Sequence, residues 1–348
     1  MLRDFFHRHF VKTDRHTLII AFFFLVFLLA NFFFISSLLL NNLKPPLKSK
    51  FGVTFSVKQA EELGLDWKQT YTALLDELNI RYFRIPAYWD RIEFNRDEYN
   101  FEELDYIIAE AEARDAKIIL AMGQRVPRWP ECHPPAWAHE LREDVRQSEI
   151  IELLTELVER YKHRRGVFLW QVENEPLLSI FGECPKPDIE FLEREVAHVK
   201  SLDDTRPVMV TDSGELSLWL RISSVADILG ISMYRITWNE LFGYFFYPLT
   251  PRHYQNKAAF ANLFVNRVII TELQGEPWAD RPLDQISLAE QFQTMNVEIF
   301  KDNIEFAQQT GFEQVYLWGA EWWYWLKQQG DPSFWDAAHS VFRNQTNF

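Results

Sequence analysis

Trp170-Gln171-Val172-Glu173-Asn174-Glu175-Pro176 is the stretch that decides the fold. The run before it, Val167-Phe168-Leu169-Trp170, is apolar. Pro176 cannot continue a strand, because it lacks an N–H and its ring fixes φ. Glu175 is therefore expected at the carboxyl end of a buried strand. In a barrel of alternating strands and helices, that end carries the chemistry. A second run, Arg267-Val268-Ile269-Ile270-Thr271, leads into Glu272. Two carboxylates at two strand ends are the minimal machinery for cleaving a glycosidic bond.

Working outward from this stretch, strand-like apolar runs alternate with helical patterns from Phe51 onward. The strand candidates are Phe51–Phe55, Tyr82–Ile85, Ile118–Ala121, Val167–Val172, Val208–Thr211, Ile228–Ser232, Val268–Thr271 and Val315–Trp318. Helical periods cover Trp67–Leu78, Phe101–Ala113, Ser148–Tyr161, Asp188–Lys200 and Leu288–Gln309. Eight such units predict an α/β fold, a (β/α)8 TIM barrel, over residues 51–348. An open doubly wound sheet would carry a glycine-rich phosphate turn after an early strand. The chain has only 12 glycines, and none cluster after the first strand.

Before the barrel, Leu18 to Leu40 is almost wholly apolar and carries no charge. At about 1.5 Å per residue, a helix of this length spans a hydrocarbon core of about 30 Å. The run is longer than a signal-peptide core and ends without a small-residue cleavage site, so an uncleaved transmembrane anchor is expected. Arg3, Arg8, Lys12 and Arg15 precede it, which favours a cytoplasmic N-terminus of residues 1–17 and a barrel outside the cell membrane. Residues 41–50 contain Lys44-Pro45-Pro46-Leu47-Lys48 and read as a stiff linker.

The formal net charge is −14, although the first 16 residues are themselves net positive. So acidic a barrel repels phosphate backbones, which excludes nucleic acid as a partner. A neutral oligo- or polysaccharide meets no such barrier. All 13 tryptophans follow the apolar segment, and open clefts lined with tryptophan suit sugar rings.

The fourth and seventh strands lie nearly across an eight-stranded barrel, so side chains at their tips converge over its mouth. Retaining cleavage requires the two carboxyls about 5–5.5 Å apart, one as proton donor and one as nucleophile. It requires no cofactor. Glu276 rivals Glu272 from the following loop. Glu173 is a weaker rival to Glu175: strand alternation puts both on one side, with Glu173 deeper.

Asn174-Glu175-Pro176 after strand four, with Glu272 on strand seven, resembles the clan A glycoside hydrolases, retaining (β/α)8 barrels that include many cellulases, mannanases, xylanases and β-glycosidases. The resemblance spans about residues 51–340. It implies Glu175 as general acid/base and Glu272 as nucleophile. Arg84, in Tyr82-Phe83-Arg84-Ile85-Pro86, matches the clan's strand-two arginine. Tyr234, in Gly230-Ile231-Ser232-Met233-Tyr234, matches the aromatic hydroxyl that bonds the nucleophile. Trp318 or Trp322 resembles the sugar-platform tryptophan, and Asn174 suits a contact to the substrate 2-hydroxyl. The residue directly after Glu272 is neither glycine nor aromatic, and Met122-Gly123-Gln124-Arg125 lacks the histidine often found at the end of strand three; both are departures. The reading is thus a membrane-anchored retaining glycoside hydrolase of a β-linked glycan. The alternatives are a transglycosylase and a non-catalytic glycan-binding barrel.

Gly319-Ala320-Glu321-Trp322-Trp323-Tyr324-Trp325 is the densest aromatic cluster. Read as a loop, it cannot bury four aromatics in a row, so Trp318, Trp322 and Trp325 are sugar-stacking candidates. Trp129, Trp238 and Trp278 add further subsite candidates. His133 and His139 lack a third ligand at metal-site spacing and read as cleft-rim polar groups. Cys132 and Cys184 fall in the loops after strands three and four. A disulfide bracing the acid/base loop and two free buried thiols are both open readings.

Overall fold

The computed structural model describes residues 49–239, 243–278 and 281–343. Strands β1 (Lys50–Thr54), β2 (Tyr82–Pro86), β3 (Lys117–Met122), β4 (Val167–Val172), β5 (Val208–Asp212) and β6 (Ile228–Met233) follow one another around a closed barrel. An antiparallel hairpin, β7 (Ile236–Asn239) and β8 (Gly243–Phe246), then interrupts the alternation. Strands β9 (Arg267–Gln274) and β10 (Gln314–Trp318) complete the barrel, with β10 pairing back to β1. All eight barrel pairings are parallel, so the expected (β/α)8 architecture is present. The hairpin was not expected.

The expected anchor, residues 18–40, lies outside the described residues. Among the described residues, no helix is long and apolar enough to cross a membrane.

Side-chain parity divides the barrel into two apolar layers. Ile119, Leu169, Met209, Ile228, Ile269 and Tyr316 form a buried cluster of their own, the packed interior typical of such barrels. Residues of the opposite parity, among them Phe83, Leu120, Trp170, Val210 and Leu229, join the core shared with the helices. One layer further toward the carboxyl ends, Gly230 is packed too closely by its neighbours to carry a side chain. A Cβ there would fall 2.6 Å from Thr271 Cγ2 and 2.8 Å from Thr211 Cγ2.

Helix boundaries follow their caps. Asp66 accepts from Lys68 N and Gln69 N at the start of Trp67–Asp76, and Asp188 accepts from Phe191 N at the start of Ile189–Leu202. The single helix expected over Leu288–Gln309 is two, Leu288–Thr294 and Val297–Gln309. Asn296 breaks it by accepting from Glu298 N and Ile299 N, the competition with backbone bonding that makes asparagine a cap. The helix expected from Ser148 begins earlier, at Glu143.

Strand β9 departs from the expected Val268–Thr271 in a way that matters. It runs to Gln274 and carries a bulge. Ile231 of β6 pairs with Ile270, but the next residue, Ser232, pairs with Glu272. On the other side Val315 pairs with Ile270, and Leu317 with Leu273. The extra residue lies at Thr271 and reverses the parity beyond it. Ile269 belongs to the barrel interior, and Leu273 to the outer core. Strict alternation from Ile269 would send Glu272 outward. The bulge turns it over the barrel mouth.

Candidate active site

Arg84 on β2 organises the centre of the mouth. It is fully buried. Its Nε donates to Gln171 Oε1 at 2.7 Å, its Nη1 to Glu272 Oε1 at 2.8 Å, and its Nη2 to Asn174 Oδ1 at 2.6 Å. The planar fork thus ties β2 to β4 and β9 through charge-assisted bonds. Glu272 receives its second bond at Oε2 from Tyr234 Oη, 2.9 Å away.

Glu175 sits in a different environment. It follows β4, where the chain leaves extended geometry: φ is +57° at Glu173 and +46° at Glu175. Thr211 Oγ1 accepts from the Glu175 backbone N–H at 2.8 Å. Ser232 Oγ donates to Glu175 Oε1 at 2.7 Å. Burial, with the Glu272 charge next in weight, raises the Glu175 carboxyl well above the ordinary glutamate range. The two carboxylates therefore meet opposite treatment. One is clamped by a guanidinium and a phenol, and the other is favoured in its protonated form.

The structure brings together Arg84 of β2, Asn174 and Glu175 after β4, Tyr234 after β6 and Glu272 of β9. Asn174 extends the Arg84 network to Thr211 and Glu131. Its Oδ1 accepts from Arg84 and, at 2.9 Å, from Thr211 Oγ1. Its Nδ2 donates to Glu131 Oε2 at 3.0 Å.

The two rivals are engaged elsewhere. Glu276 pairs with Arg128 and accepts from Trp318 Nε1 at 2.8 Å. Glu173 does not share a side with Glu175, because the left-handed backbone after Val172 ends the alternation. Its carboxylate accepts from the N–H groups of Gln124 and Arg125 at 2.8 and 2.6 Å, and it faces Glu195. Gly123 makes this possible. Its φ is +123°, and a Cβ there would meet Glu173 Oε1 at 2.3 Å.

Among the aromatics, Trp322 corrects the sequence reading. The cluster after β10 is a helix, Ala320–Gln328, rather than a loop. Trp322 is 0% exposed, stacks edge-on against Phe334 at 4.6 Å, and donates to Gln291 Oε1. Trp323 is equally buried and donates to the Gly275 carbonyl. Trp325 is half-buried against the same core. A helix packed against Ser333–Arg343 can bury consecutive aromatics on its successive faces, which a loop cannot. Trp318 stands at the mouth, but the Arg128 guanidinium lies over its ring, 4.1 Å from the centroid. The aromatics in line with the centre are instead Trp278, 5.0 Å from Tyr234, then Phe181, then the exposed Trp129.

Cys132 and Cys184 are joined as a disulfide, linking the loops after β3 and β4. His133 is buried beside Lys58 and Tyr88, and burial holds it down at about 4, so it stays neutral. Several site roles were missed in the sequence: Glu131, Thr211, the Ser232 hydroxyl, and Arg128 with its partner Glu321. Ser232 and Glu321 lie inside stretches singled out for their neighbours, and the others stand in no motif. Glu131 had one local signal, its place directly before Cys132.

Comparison with known proteins supports the same reading. Residues 51–261, more than half of the chain, match the family described as cellulase (glycosyl hydrolase family 5). A β-glucuronidase of Rattus norvegicus is 31% identical over 94 residues, covering 27% of this chain and 13% of that protein. A probable mannan endo-1,4-β-mannosidase A of Aspergillus niger is 28% identical over 127 residues, covering 32% of this chain and 31% of that one. The chain thus aligns with less than a third of either relative's length. Among solved structures, native xylanase 10B from Thermotoga maritima superposes with a TM-score of 0.58 at 16% identity, over 85% of this chain and 95% of that one, a likeness of fold. On the family match, carried by a closed parallel barrel of the same architecture, the chain belongs to the cellulase family, glycosyl hydrolase family 5.

Proposed function

We propose that this protein is a membrane-anchored retaining glycosidase that cleaves a β-linked glycan by double displacement. The carrying observation is the contrast between the two carboxyls. Glu272 is held by Arg84 and Tyr234, while Glu175 is buried and pushed toward its protonated form. This contrast supports Glu175 as the acid and Glu272 as the nucleophile.

In the first step Glu272 Oε attacks the anomeric carbon as the glycosidic C–O bond breaks. Glu175 gives its proton to the leaving oxygen. A glycosyl ester on Glu272 results. In the second step Glu175, now ionised, takes a proton from water as that water attacks the same carbon and releases Glu272. Arg84 and Tyr234 keep Glu272 aimed by a hydrogen bond to each of its oxygens. Asn174, fixed at both ends of its amide, presents its remaining N–H to the sugar. Trp278, Phe181 and Trp129 offer ring faces for further sugar units. Trp318 borders the same mouth.

The apolar segment 18–40 with its basic N-terminal flank supports a single-pass anchor with the barrel outside the cytoplasm. The Cys132–Cys184 bridge is consistent with an oxidising compartment.

Incubation with 2-fluoro glycosides bearing a good leaving group tests the mechanism. Mass spectrometry of peptic peptides is expected to find the glycosyl adduct on Glu272. Glu272→Gln is expected to abolish labelling and turnover. Full activity of Glu175→Gln or Glu272→Gln on a substrate that the wild type cleaves would overturn the assignment.

A further inference from the structure

The cleft holds a third carboxyl that double displacement does not use. Glu131 lies in the loop after β3, beside the Cys132–Cys184 bridge, and is 5% exposed. One of its oxygens, Oε2, accepts from Asn174 Nδ2. The other, Oε1, meets no donor among the described residues and is not sealed from solvent.

Among the described residues no guanidinium hydrogen-bonds Glu131, although three arginines are near. Arg84 is spent on Gln171, Glu272 and Asn174. Arg125 donates to the Leu178 and Phe181 carbonyls, and Arg128 to Glu276 and Glu321. Burial, and after it the Glu272 charge, pushes the Glu131 carboxyl up to about 7. Glu131 thus lacks a charge-assisted hydrogen bond, although the Arg125 and Arg84 charges act on it without one.

Asn174 adds geometry. Its Oδ1 is fixed by Arg84 and Thr211, so its Nδ2 must face Glu131. One N–H of that amide is used on Glu131 Oε2. A carboxylate acceptor and an amide donor therefore lie side by side, close enough to Glu272 for its charge to act on Glu131.

We propose that Glu131 is a specificity-determining residue selecting a free ammonium group on the sugar over Glu272, so that the substrate is a β-linked glycan of unacetylated amino sugars. The inference rests on the reading of Glu175 and Glu272 as the cleaving pair. An ammonium compensates the Glu131 charge beside Glu272, and a hydroxyl does not. An acetylated nitrogen has lost that charge. The chain's net charge of −14 points the same way, since it draws a polycationic glycan toward the cleft.

The test compares glucosamine oligomers, their N-acetylated counterparts and cello-oligomers, all β-1,4-linked, on wild type and Glu131→Gln. Wild type is expected to favour the glucosamine oligomers in kcat/KM by about tenfold or more, the scale of one charge-assisted bond. Glu131→Gln is expected to erase that ratio, chiefly through KM. A wild-type preference for either neutral series overturns the proposal and leaves the glycosidase reading standing. So does an unchanged ratio in Glu131→Gln. A wild type that cleaves none of the three series counts against the glycosidase reading, and calorimetric binding to the Glu175→Gln variant then decides Glu131 separately. Tighter binding of glucosamine oligomers than of cello-oligomers, lost on adding Glu131→Gln, supports the proposal; equal or absent binding overturns it.

Discussion

Arg84 and Glu272, 188 positions apart in sequence, meet at 2.8 Å in the closed centre of the barrel, with the arginine wholly buried. The same guanidinium reaches Asn174, the neighbour of Glu175. One side chain thereby sets both halves of the proposed pair. Arg84→Lys is expected to cut kcat by about 10²-fold or more, since an ammonium cannot make all three bonds. Tyr234→Phe, which removes only the bond to Glu272 Oε2, is expected to cost about 10-fold in kcat. Steady-state kinetics on any cleaved aryl glycoside checks both, with circular dichroism to confirm folding.

The alkaline limb of activity is expected to follow Glu175. Its proton is needed for leaving-group departure, and its pKa is raised, chiefly by burial. Ser232 opposes that rise by donating to the ionised form. Ser232→Ala therefore favours the protonated form further. The alkaline limb of the kcat/KM profile is expected to move to higher pH, and a shift to lower pH would contradict the assignment. For stability the sign is the usual one for a raised group. The contribution is fully present below the unfolded pKa and is lost as pH rises through the folded one. The melting temperature of Glu175→Gln relative to wild type should therefore grow as pH rises from 4 to 8.

Reduction of the Cys132–Cys184 bridge is expected to lower stability by about 4 kcal/mol, the chain-entropy value for a closed loop of this size. The bridge spans 52 positions and joins the loops that carry Glu131 and Glu175. Denaturant titration of Cys132→Ser/Cys184→Ser against wild type measures the loss.

Trp322 and Trp278 separate core from cleft. Trp322→Ala deletes a fully buried indole and its bond to Gln291, and is expected to cost about 3–5 kcal/mol of stability. Trp278→Ala leaves the half-exposed face beside Tyr234 and is expected to raise KM several-fold with little change in melting temperature. Thermal melts and oligosaccharide kinetics on both variants give opposite patterns if the structure is read correctly.

Much of this was legible in the chain. The eight strands announced themselves because buried parallel strands are short apolar runs, a local property. The cap residues Asp66, Asp188 and Asn296 act within four residues of themselves, although Asn296 was read through as helix. The Glu175 and Glu272 pair stood out because each follows such a run. Trp322 misled because burial of an aromatic depends on the helix it joins and on Phe334 across from it. Glu131 stayed hidden because nothing local marks a loop carboxylate whose partner is 43 positions away.

The sequence by itself determined the barrel and the two carboxylates at its mouth, because periodicity and strand-ending signals are written in neighbouring residues. The tertiary structure alone decided which way those carboxylates face. The bulge at Thr271 is set by pairing with β6 and β10, and it turns Glu272 inward where strict alternation would turn it out. The raised pKa of Glu175 likewise arises from burial and from the Glu272 charge brought near it by the fold, which no local stretch of chain contains.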